Sequence, residues 1–366
     1  MIKNEKNRLR VAIVGCGAVS EIFYAVALSQ LAKKGIAETI ALVDPNPDRT
    51  SKIGIIFPTA KQYRDLGAML ADNTPDLAVI ATPHRFHADL TVACLEQGIH
   101  VLCEKPMATT TAECEQMIEA SEKNRRLLAV GHFRRFFASC QFIKEAIDKK
   151  YFGEVIKFHI LEGEKYSWPA QSVSFFKKEQ AGGGVLIDTG AHTIDLLLWW
   201  LGDVFSFEYQ DDAMGGVESN CLIHINMKDG ATGIVQLSRD WPLQNKYKIE
   251  FEKGWITYAC DVVDRVKCGF YNSSYLLNAE LEVFLKTSNN ISYQITEKVP
   301  SFSDCFSNQL KNVINSISGK EVLKVPGTEA IKAVHFIEDC YKNRKLLNMN
   351  WLNDKELKRA IELAHV

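Results

Sequence analysis

The length, composition and charge of the chain restrict its class before any motif is considered. The chain has 366 residues, of which 43 are Lys or Arg and 45 are Asp or Glu, so its formal charge at pH 7 is −2. At roughly 150 residues per domain, this length predicts two domains with sizeable cores. A nearly neutral chain has no electrostatic feature that attracts nucleic acid or an anionic membrane. We therefore expect a small-molecule partner and no nucleic acid.

The cysteines and the amino-terminal sequence indicate the compartment. Ten cysteines occur singly, without a CxxC pair or a cluster with histidine that has metal-ligand spacing. This is typical of reduced cytosolic thiols. The segment Met1–Arg10 is polar and lacks the apolar core of a signal peptide, and no apolar run is long enough to span a bilayer. We predict a cytoplasmic protein without a membrane partner.

From residue 9 to about 132, short apolar runs alternate with longer amphipathic runs, a pattern that predicts βαβ units and a parallel sheet. The predicted strands are Arg10–Val14, Thr39–Val43, Leu77–Ala81, His100–Cys103 and Leu127–Gly131. The predicted helices lie near Ala18–Lys34, Leu66–Ala71, Phe86–Gln97 and Thr111–Lys123. Thr110 or Thr111 is the expected cap of the last of these.

After Gly131 the pattern changes, so we divide the chain into domains 1–132 and 133–366. A helix over Phe136–Lys149 precedes a β-like stretch over Glu154–Glu164. The region Phe205–Ile295 predicts an antiparallel sheet with one face covered by helices, with strands at Cys221–Met227, Thr232–Leu237, Tyr247–Phe251 and Trp255–Ala259, and hairpin turns at Lys228–Gly230 and Lys253–Gly254. The tail Phe302–Leu347 is helical, with one apolar stripe formed by Phe306, Leu310, Val313, Ile314 and Ile317. A cleft between two packed domains is the expected binding site.

A glycine motif follows the first predicted strand directly. In Val11-Ala-Ile-Val-Gly-Cys-Gly-Ala-Val-Ser20, the glycines stand between a strand and a helix. There the backbone at Gly15, Gly17, Ala18 and Val19 can approach a pyrophosphate. The third small position of such loops is here Ser20 instead of Gly or Ala. By itself the motif fits a tight strand-to-helix turn as well as a dinucleotide site.

Asp44 ends the second predicted strand. A carboxylate at this position accepts hydrogen bonds from both ribose hydroxyls of an adenosine and repels a 2′-phosphate. The alternative is an ordinary turn aspartate in Asp44-Pro-Asn-Pro47. Arg49, five residues further on, could pair with a 2′-phosphate. We predict NAD as the cofactor and keep NADP open.

Two further strand ends carry polar motifs. Thr82-Pro83 follows the third of the predicted strands and is expected to line the nicotinamide side of the pocket. His84 and His87 are expected to begin the next helix or to support the pocket, and not to be catalysts.

Glu104-Lys105 follows His100–Cys103, and Pro106 stops that strand. Ligands of open α/β sheets bind at the carboxyl ends of the strands, which is where the Lys105 ammonium is predicted to lie.

A second dense motif is Gly182-Gly-Gly-Val-Leu-Ile-Asp188-Thr-Gly-Ala-His192-Thr-Ile-Asp195. Asp188 and His192 are four residues apart, so on a helix their side chains share one face. A histidine titrates near neutrality and suits proton removal from an alcohol, and a carboxylate one turn away can orient the ring. The alternative is a buried hydrogen-bonded pair. The glycines favour a close approach of backbone to a ligand or to another segment. No cysteine or second histidine joins Asp188, His192 and Asp195 at ligand spacing, so we predict no metal.

Three further residues are candidates for contact with a polar substrate. Arg134 follows the last strand of the first domain, where a solvated helix start is the alternative together with Arg135. Tyr166 and Trp168 lie in the Lys165-Tyr-Ser-Trp-Pro169 turn and could stack on a sugar face. Core packing is the preferred interpretation of Trp168.

Taken together, these motifs resemble the Gfo/Idh/MocA oxidoreductase family over nearly the whole chain. The resemblance rests on the glycine loop, Asp44, Ala81-Thr-Pro83 with His87, Glu104-Lys-Pro106 and the GGGxxxDxGxHxxD run, and continues in the tail with Phe302–Leu310 and Pro326–Ala330. It implies an α/β protein with an N-terminal Rossmann dinucleotide-binding domain and a C-terminal α+β domain. The second domain would be built on a large, mostly antiparallel sheet, often used for oligomer contacts, so a homo-oligomer (dimer or tetramer) is implied.

The same resemblance implies roles for individual residues. Lys105 would hydrogen-bond the reacting oxygen, His192 would be the general base or acid, Asp188 would assist it, and Asp195 would support the helix. Together with the residue-level reasoning above, this gives the predicted cofactor-binding residues of the chain: Gly15, Gly17, Ala18, Val19, Asp44, Arg49, Thr82, Pro83, His87, Glu104 and Lys105. The chain departs from the family at Ser20, and at Phe133 and Arg135, where the family more often has Asn. The second departure bears on substrate contacts.

The resulting hypothesis is an NAD(P)-dependent dehydrogenase or reductase of a sugar, cyclitol or sugar derivative. Two other hypotheses stay open. One is NAD-dependent glycoside hydrolysis through transient oxidation, which would release a sugar without net NADH. The other is a non-catalytic dinucleotide-binding regulator, against which the joint presence of Lys105, Asp188 and His192 argues.

Overall fold

The computed structural model describes residues 8–169, 176–271, 276–282, 301–350 and 352–364. The chain forms two compact units. The first comprises Met1–Phe133, Trp168–Gly182 and Phe302–His335, and the second comprises Arg134–Ser167, Gly183–Ser301 and Phe336–Val366. Along the chain, the first unit gives way to the second after Phe133, next to the predicted boundary after residue 132. Two later segments also belong to the first unit. The assignment of cofactor and substrate binding to 1–132 and 133–366 stays a prediction.

The first unit is built on a six-stranded parallel sheet with the strand order β3-β2-β1-β4-β5-β6. Its strands are β1 Leu9–Val14, β2 Ala37–Val43, β3 Lys61–Tyr63, β4 Leu77–Ile80, β5 His100–Cys103 and β6 Leu128–Val130. The predicted strands of this part are confirmed. The edge strand β3 was not predicted, because three residues, none of them buried, carry no apolar signal. This order is that of dinucleotide-binding sheets, whose order reverses between β1 and β4.

Helices connect successive strands of this sheet, as parallel pairing requires. They are α1 Ala25–Lys33, α2 Pro47–Gly54, α3 Leu66–Asp72, α4 His87–Glu96 and α5 Thr111–Asn124, and a five-residue π-helix, Ser20–Tyr24, precedes α1. Thr110 caps α5, since its hydroxyl accepts from the Glu113 N–H while Glu113 reaches back in a capping box. Helix α2 was not predicted; it is mostly polar and is started by the Asn46 cap.

The second unit is built on a nine-stranded sheet with the order β14-β13-β12-β11-β7-β10-β9-β8-β15. Only the β7–β10 and β8–β15 pairs are parallel. The strands are β7 Val155–Gly163, β8 Val204–Asp211, β9 Asn220–Met227, β10 Thr232–Ser238, β11 Lys246–Phe251, β12 Gly254–Ala259, β13 Arg265–Tyr271, β14 Leu276–Glu282 and β15 Lys345–Leu346. The predicted mostly antiparallel sheet and its hairpins are confirmed. The predicted strand pattern within 272–275 and beyond Glu282 lies outside the described residues.

The remaining helices are α6 Ala138–Asp148, α7 Lys178–Ala181, α8 Thr189–Leu201, α9 Phe302–Ile317, α10 Gly327–Lys342 and α11 Asp354–Ala364. Helices α6 and α8 pack on one face of the second sheet, where the indole N–H of Trp200 donates to the Cys140 carbonyl at 3.1 Å. Trp200 also meets the rings of Tyr247 and Tyr258 edge-on. The other face carries polar exposed side chains such as Lys157, His159 and His224. One covered face was the prediction.

The core of the first unit includes the apolar stripe of α9. Phe306, Leu310, Val313 and Ile314 are buried against β1, β2 and α1, and Ile317 is partly buried beside them. This confirms the stripe that the sequence predicts. No helix within the described ranges is long and apolar enough to cross a membrane.

Candidate active site

The loop between β1 and the π-helix has the two glycines in different surroundings. Gly15 has φ +93°, and a Cβ there would lie 2.5 Å from the Ala81 carbonyl oxygen, so only glycine fits between β1 and the end of β4. A Cβ on Gly17 would meet no described atom within 4 Å. The space in front of Gly17 lies at a strand-to-helix turn, where a dinucleotide pyrophosphate approaches the backbone. The loop therefore fits the cofactor that the sequence predicts.

Ser20 replaces the third small residue of the motif and is fully buried. Its hydroxyl donates to the Gly15 carbonyl at 2.5 Å. The helix begins there as a π-helix over Ser20–Tyr24 before it continues as α1. Short π segments are rare and are frequent at functional sites. Ser20 therefore closes the glycine loop by a hydrogen bond where the family pattern has only a small side chain.

Asp44 lies at the carboxyl end of β2 and is 4% exposed. Its Oδ2 accepts from the Cys16 N–H and its Oδ1 from the Asn46 N–H, each at 2.9 Å. These two amides fix the plane of the carboxylate beside the glycine loop, and each oxygen retains a lone pair for a ribose hydroxyl. The Arg49 guanidinium lies 3.8 Å from Oδ2 and is partly exposed. Both residues are thus at the predicted adenosine end of the loop.

The segment after β4 contains Thr82, Pro83 and His87. His87 is fully buried, and its ring nitrogens face two carbonyl oxygens: Nε2 that of Thr82 at 2.9 Å and Nδ1 that of Pro106 at 2.8 Å. Burial lowers the pKa of His87 below its usual value. Both ring nitrogens are occupied by backbone, so His87 holds two loops of the strand ends together. Its predicted contact with the cofactor stays a prediction and can only be made through ring carbon atoms.

Glu104 and Lys105 follow β5, as predicted. Glu104 is buried, and its Oε1 accepts from the Tyr24 hydroxyl at 2.6 Å while its Oε2 accepts from the Lys105 N–H at 3.0 Å. Burial raises the pKa of Glu104. A Cβ on Gly131 would lie within 3.0 Å of this carboxylate, so Gly131 leaves the space that Glu104 fills. Lys105 itself is only partly buried.

Asp188 and His192 lie at the start of α8. Asp188 directly precedes the helix in a non-helical conformation, and His192 follows on its first turn and is 8% exposed. The predicted helix is present from Thr189 onward, so Asp188 is the residue before it, and the shared face of Asp188 and His192 stays a prediction. Asp195 lies on the same helix but is committed to another partner, described below. In the part of the chain that the structure describes, no group of His, Cys, Asp or Glu could hold a metal ion.

The glycine run before Asp188 makes room for other segments of the protein. A Cβ on Gly184 would lie 1.9 Å from the Glu218 carbonyl oxygen, and one on Gly183 would lie 2.1 Å from the Tyr341 hydroxyl. The buried Glu218 carboxylate accepts from the N–H groups of Gly184 and Leu186 and from Tyr341. The sequence leaves two explanations for the glycines, close approach to a ligand or to another segment. The structure contains the close approach to another segment.

Asp195 forms a buried ion pair with Arg135. The Arg135 Nε lies 2.9 Å from Oδ2 and its Nη2 lies 2.7 Å from Oδ1, with both side chains at most 5% exposed. The guanidinium also lies over the ring of Trp199. Asp195 therefore anchors α8, which is the supporting role that the resemblance implies. Arg135, a departure from the family, is its partner and is not placed for substrate contact.

Arg134 is part of a second buried network. Its guanidinium forms two hydrogen bonds to Glu162, at 2.9 and 2.5 Å, and one to the Tyr247 hydroxyl. Glu162 also accepts from the hydroxyls of Thr193, at 2.9 Å, and Tyr247, at 2.5 Å. Burial opposes the charge on Glu162, yet Arg134 and these donors lower its pKa. The structure does not favour the predicted substrate role of Arg134, because two nitrogens of its guanidinium already donate to Glu162.

Tyr166 and Trp168 have different surroundings. The Tyr166 hydroxyl is buried, and burial followed by the nearby charge of Asp188 raises its pKa to about 12. Trp168 is 39% exposed and stacks on Phe23 with ring centroids 6.4 Å apart. The core packing preferred from the sequence is therefore wrong for Trp168, and its contact with substrate stays a prediction.

Sequence reasoning missed the residues that support this site. Tyr24, Glu162, Thr193 and Glu218 contact partners that are 28 to 123 positions away. An apolar pattern in the sequence predicts that a segment is buried, but it does not show which distant residue a polar side chain in that segment contacts. The only local signal was polar residues inside otherwise apolar runs, as for Glu162 in Phe158–Glu162.

Comparison with known proteins gives the same family that the motifs resemble. Residues 9–132 match the model of the oxidoreductase family with an NAD-binding Rossmann fold, and residues 140–257 match the Gfo/Idh/MocA C-terminal domain. The chain is 32% identical to D-glucoside 3-dehydrogenase of Escherichia coli over 53% of its own length and 54% of that protein. It is 24% identical to scyllo-inositol 2-dehydrogenase (NADP(+)) IolW of Bacillus subtilis over 94% of its own length and 96% of that protein.

A solved structure of levoglucosan dehydrogenase, in complex with NADH and levoglucosan, has the same fold. Its TM-score is 0.79 at 18% identity, and the match covers 92% of this chain and 97% of that one. With the parallel sheet, the glycine loop and the fixed Asp44 carboxylate, these matches define an NAD(P)-dependent oxidoreductase. The chain belongs to the Gfo/Idh/MocA family.

Proposed function

We propose that this oxidoreductase is a dehydrogenase or reductase of a hydroxyl-bearing carbon in a sugar, a cyclitol or a sugar derivative. The observation that carries the proposal is the open space in front of Gly17 at the switch point of the sheet, beside the Asp44 carboxylate that two backbone amides hold in place. The matched relatives named as glucoside and inositol dehydrogenases support the class of substrate.

The first unit would hold the cofactor through residues of three strand ends. The backbone of Gly15, Gly17, Ala18 and Val19 would face the pyrophosphate, and Asp44 would accept from the adenosine ribose. The segments at Thr82-Pro83 and Glu104-Lys105 would line the nicotinamide side. When bound, the nicotinamide supplies the hydride acceptor or donor.

Lys105, Asp188 and His192 are the proposed proton-handling residues. The Lys105 ammonium would donate a hydrogen bond to the reacting oxygen and stabilise negative charge there. A His192 ring nitrogen would take the hydroxyl proton in oxidation and return it in reduction. Asp188, one turn before His192, would orient that ring.

A substrate screen tests the function. The purified protein is mixed with NAD or NADP and with cyclitols, aldoses, alkyl glucosides and sugar nucleotides, and reduced nicotinamide is followed by its absorbance. We expect turnover with at least one class and none with His192→Ala. Release of a free sugar from a glycoside without net reduced nicotinamide would instead identify the hydrolytic alternative. Tight cofactor binding with neither product would identify the regulator.

We also propose a reducing compartment, the cytoplasm, and a homo-oligomeric assembly. All ten cysteines are buried and none is in a disulfide, which suits a protein of a reducing compartment. The polar open face of the second sheet is the expected oligomer contact. Light scattering of the purified protein tests the assembly, and a monomer at micromolar concentration would contradict it.

A further inference from the structure

One buried contact without an assigned role is the hydrogen bond between Tyr24 and Glu104. Tyr24 is fully buried, and its hydroxyl donates to Oε1 of Glu104 at 2.6 Å. Two helical turns of sequence separate Tyr24 from the glycine loop, and 80 residues separate it from Glu104. A tyrosine hydroxyl bound to a buried carboxylate beside a predicted catalytic lysine requires an explanation.

The π-helix is what brings Tyr24 to this place. The Ser20 hydroxyl is tied to the Gly15 carbonyl, and the chain makes one wide turn over Ser20–Tyr24 before α1 begins. The Tyr24 ring is fixed edge-on against Phe306, with ring centroids 5.1 Å apart. Its rotamer is therefore set by packing, and the hydroxyl has one direction, toward Glu104.

The Glu104 carboxylate connects the Tyr24 hydroxyl to the backbone of Lys105. One oxygen accepts from Tyr24, and the other accepts from the backbone N–H of Lys105 at 3.0 Å. The carboxylate also fills the space beside Gly131, so it cannot turn without leaving that space. On the far side of Lys105, the Pro106 carbonyl is held by His87. The backbone of Lys105 is thus held from both neighbours.

We propose that Tyr24 is a positioning residue for Lys105 and acts through the Glu104 carboxylate. This inference rests on the proposed function of Lys105. Without the Tyr24 hydroxyl, the carboxylate loses one of its two fixed partners in a site from which water is excluded, and its preferred orientation changes. The Lys105 backbone then loses its acceptor, and the ammonium moves away from the place where the reacting oxygen binds.

The test is a double-mutant cycle with Tyr24→Phe and Glu104→Gln. Tyr24→Phe removes only the hydroxyl, and Glu104→Gln keeps the shape of the side chain. We expect each to lower kcat by roughly tenfold to a hundredfold, the loss that follows removal of a hydrogen bond to a charged group. In Tyr24→Phe, the dissociation constant of NAD should stay within about threefold, because neither the glycine loop nor a residue that lines the nicotinamide side is changed. The double variant should lose no more than Glu104→Gln alone.

The matched control is Tyr63→Phe. Tyr63 also donates its hydroxyl to a carboxylate at 2.6 Å, but the acceptor is the exposed Asp72. This variant should retain wild-type kcat. A kcat of Tyr24→Phe within about twofold of wild type, or losses that multiply in the double variant, would overturn the proposal. A parallel loss of NAD affinity would do so as well, since it would place Tyr24 in the cofactor site.

A second measurement separates this inference from the proposed function. The rate at which an amine-acylating reagent modifies Lys105 is followed by mass spectrometry of the Lys105 peptide, without substrate. We expect a change of about threefold or more in Tyr24→Phe and in Glu104→Gln, and none in Tyr63→Phe. Changed reactivity in a protein that turns over no sugar or cyclitol would reject the function and retain the positioning. Turnover with unchanged reactivity and unchanged kcat would reject the positioning alone.

Discussion

At the scale of single residues, the two glycines of the loop have different reasons: the fold requires one of them, and cofactor binding is proposed to require the other. Gly15 is required by the backbone, because its φ is positive and the Ala81 carbonyl occupies the place of a side chain. Gly17 has no such constraint among the described atoms. The sequence alone predicts both glycines as a motif, and only the structure assigns them different reasons.

We therefore predict opposite effects of two alanine substitutions. Gly17→Ala should leave the thermal midpoint of unfolding within about 2 °C of wild type and weaken NAD binding by about tenfold or more, since the methyl group occupies the phosphate approach. Gly15→Ala should lower the thermal midpoint, because the new Cβ collides with β4. Calorimetry and cofactor titration measure both. Undiminished NAD affinity in Gly17→Ala would remove the pyrophosphate from this loop.

The Asp44 carboxylate allows a prediction on cofactor choice. Asp44→Asn keeps an acceptor for a backbone amide but removes the charge, so NAD binding should weaken by about tenfold while NADP binding stays equal or improves. Arg49, which lies 3.8 Å from the carboxylate, would then be available to a 2′-phosphate. Dissociation constants for both cofactors test this. Equal losses for NAD and NADP would mean that Asp44 does not contact the ribose.

At the scale of elements, helix α8 is held by two consecutive arginines. Arg135 pairs with Asp195, and Arg134 pairs with Glu162, which accepts from Thr193 next to His192. The sequence predicted the helix and the supporting role of Asp195, because the motif and its spacing are local. It could not predict that Arg135 is buried and Arg134 mostly so, since ion-pair partners 28 and 60 residues away depend on tertiary packing.

Breaking the Arg135–Asp195 pair should be costly. Arg135→Met should lower the free energy of unfolding by about 3–5 kcal/mol, because Asp195 is then a buried charge without its partner. The double variant Arg135→Met with Asp195→Leu should regain much of that loss. The exposed pair of Lys149 and Glu145 supplies the control, and Lys149→Met should change stability little. Chemical denaturation measures all three, and a small effect of Arg135→Met would show that the pair does not anchor α8.

The elements missed by the sequence have physical reasons. Helix α2 is polar and depends on its Asn46 cap, and β3 is a short edge strand. The π-helix over Ser20–Tyr24 has no periodicity of its own that distinguishes it from α1. By contrast, the central strands were predicted to within about two residues, since a parallel strand covered on both faces is a continuous apolar run.

At the scale of the whole molecule, the predicted chemistry is divided between the two units. The cofactor residues and Lys105 belong to the first, and Asp188 and His192 belong to the second. The family and fold class were predicted from motifs spread along the chain, and both are confirmed. The contacts that hold each motif in place came only from the structure.

Acidification should destabilise the folded protein through buried histidine. Burial lowers the pKa of His87, so the unfolded chain binds a proton at this ring more readily than the folded chain. The neutral His87 ring therefore stabilises the folded protein at pH values above roughly 6.5, the pKa of histidine in the unfolded chain. This contribution is lost as the pH falls below that value. We expect His87→Gln to show a smaller decrease of the thermal midpoint between pH 7 and pH 5.5 than wild type. Equal decreases in wild type and in His87→Gln would contradict this role of His87.

The most direct test of the central claim is the turnover and the NAD affinity of Lys105→Ala, measured on the substrate found by the screen. Lys105 is proposed to act on the reacting oxygen and not to hold the dinucleotide. We predict that kcat falls by about a thousandfold or more while the dissociation constant of NAD stays within about threefold of wild type. Retained turnover would remove Lys105 from the reaction. Loss of NAD binding would show that the lysine serves the cofactor instead.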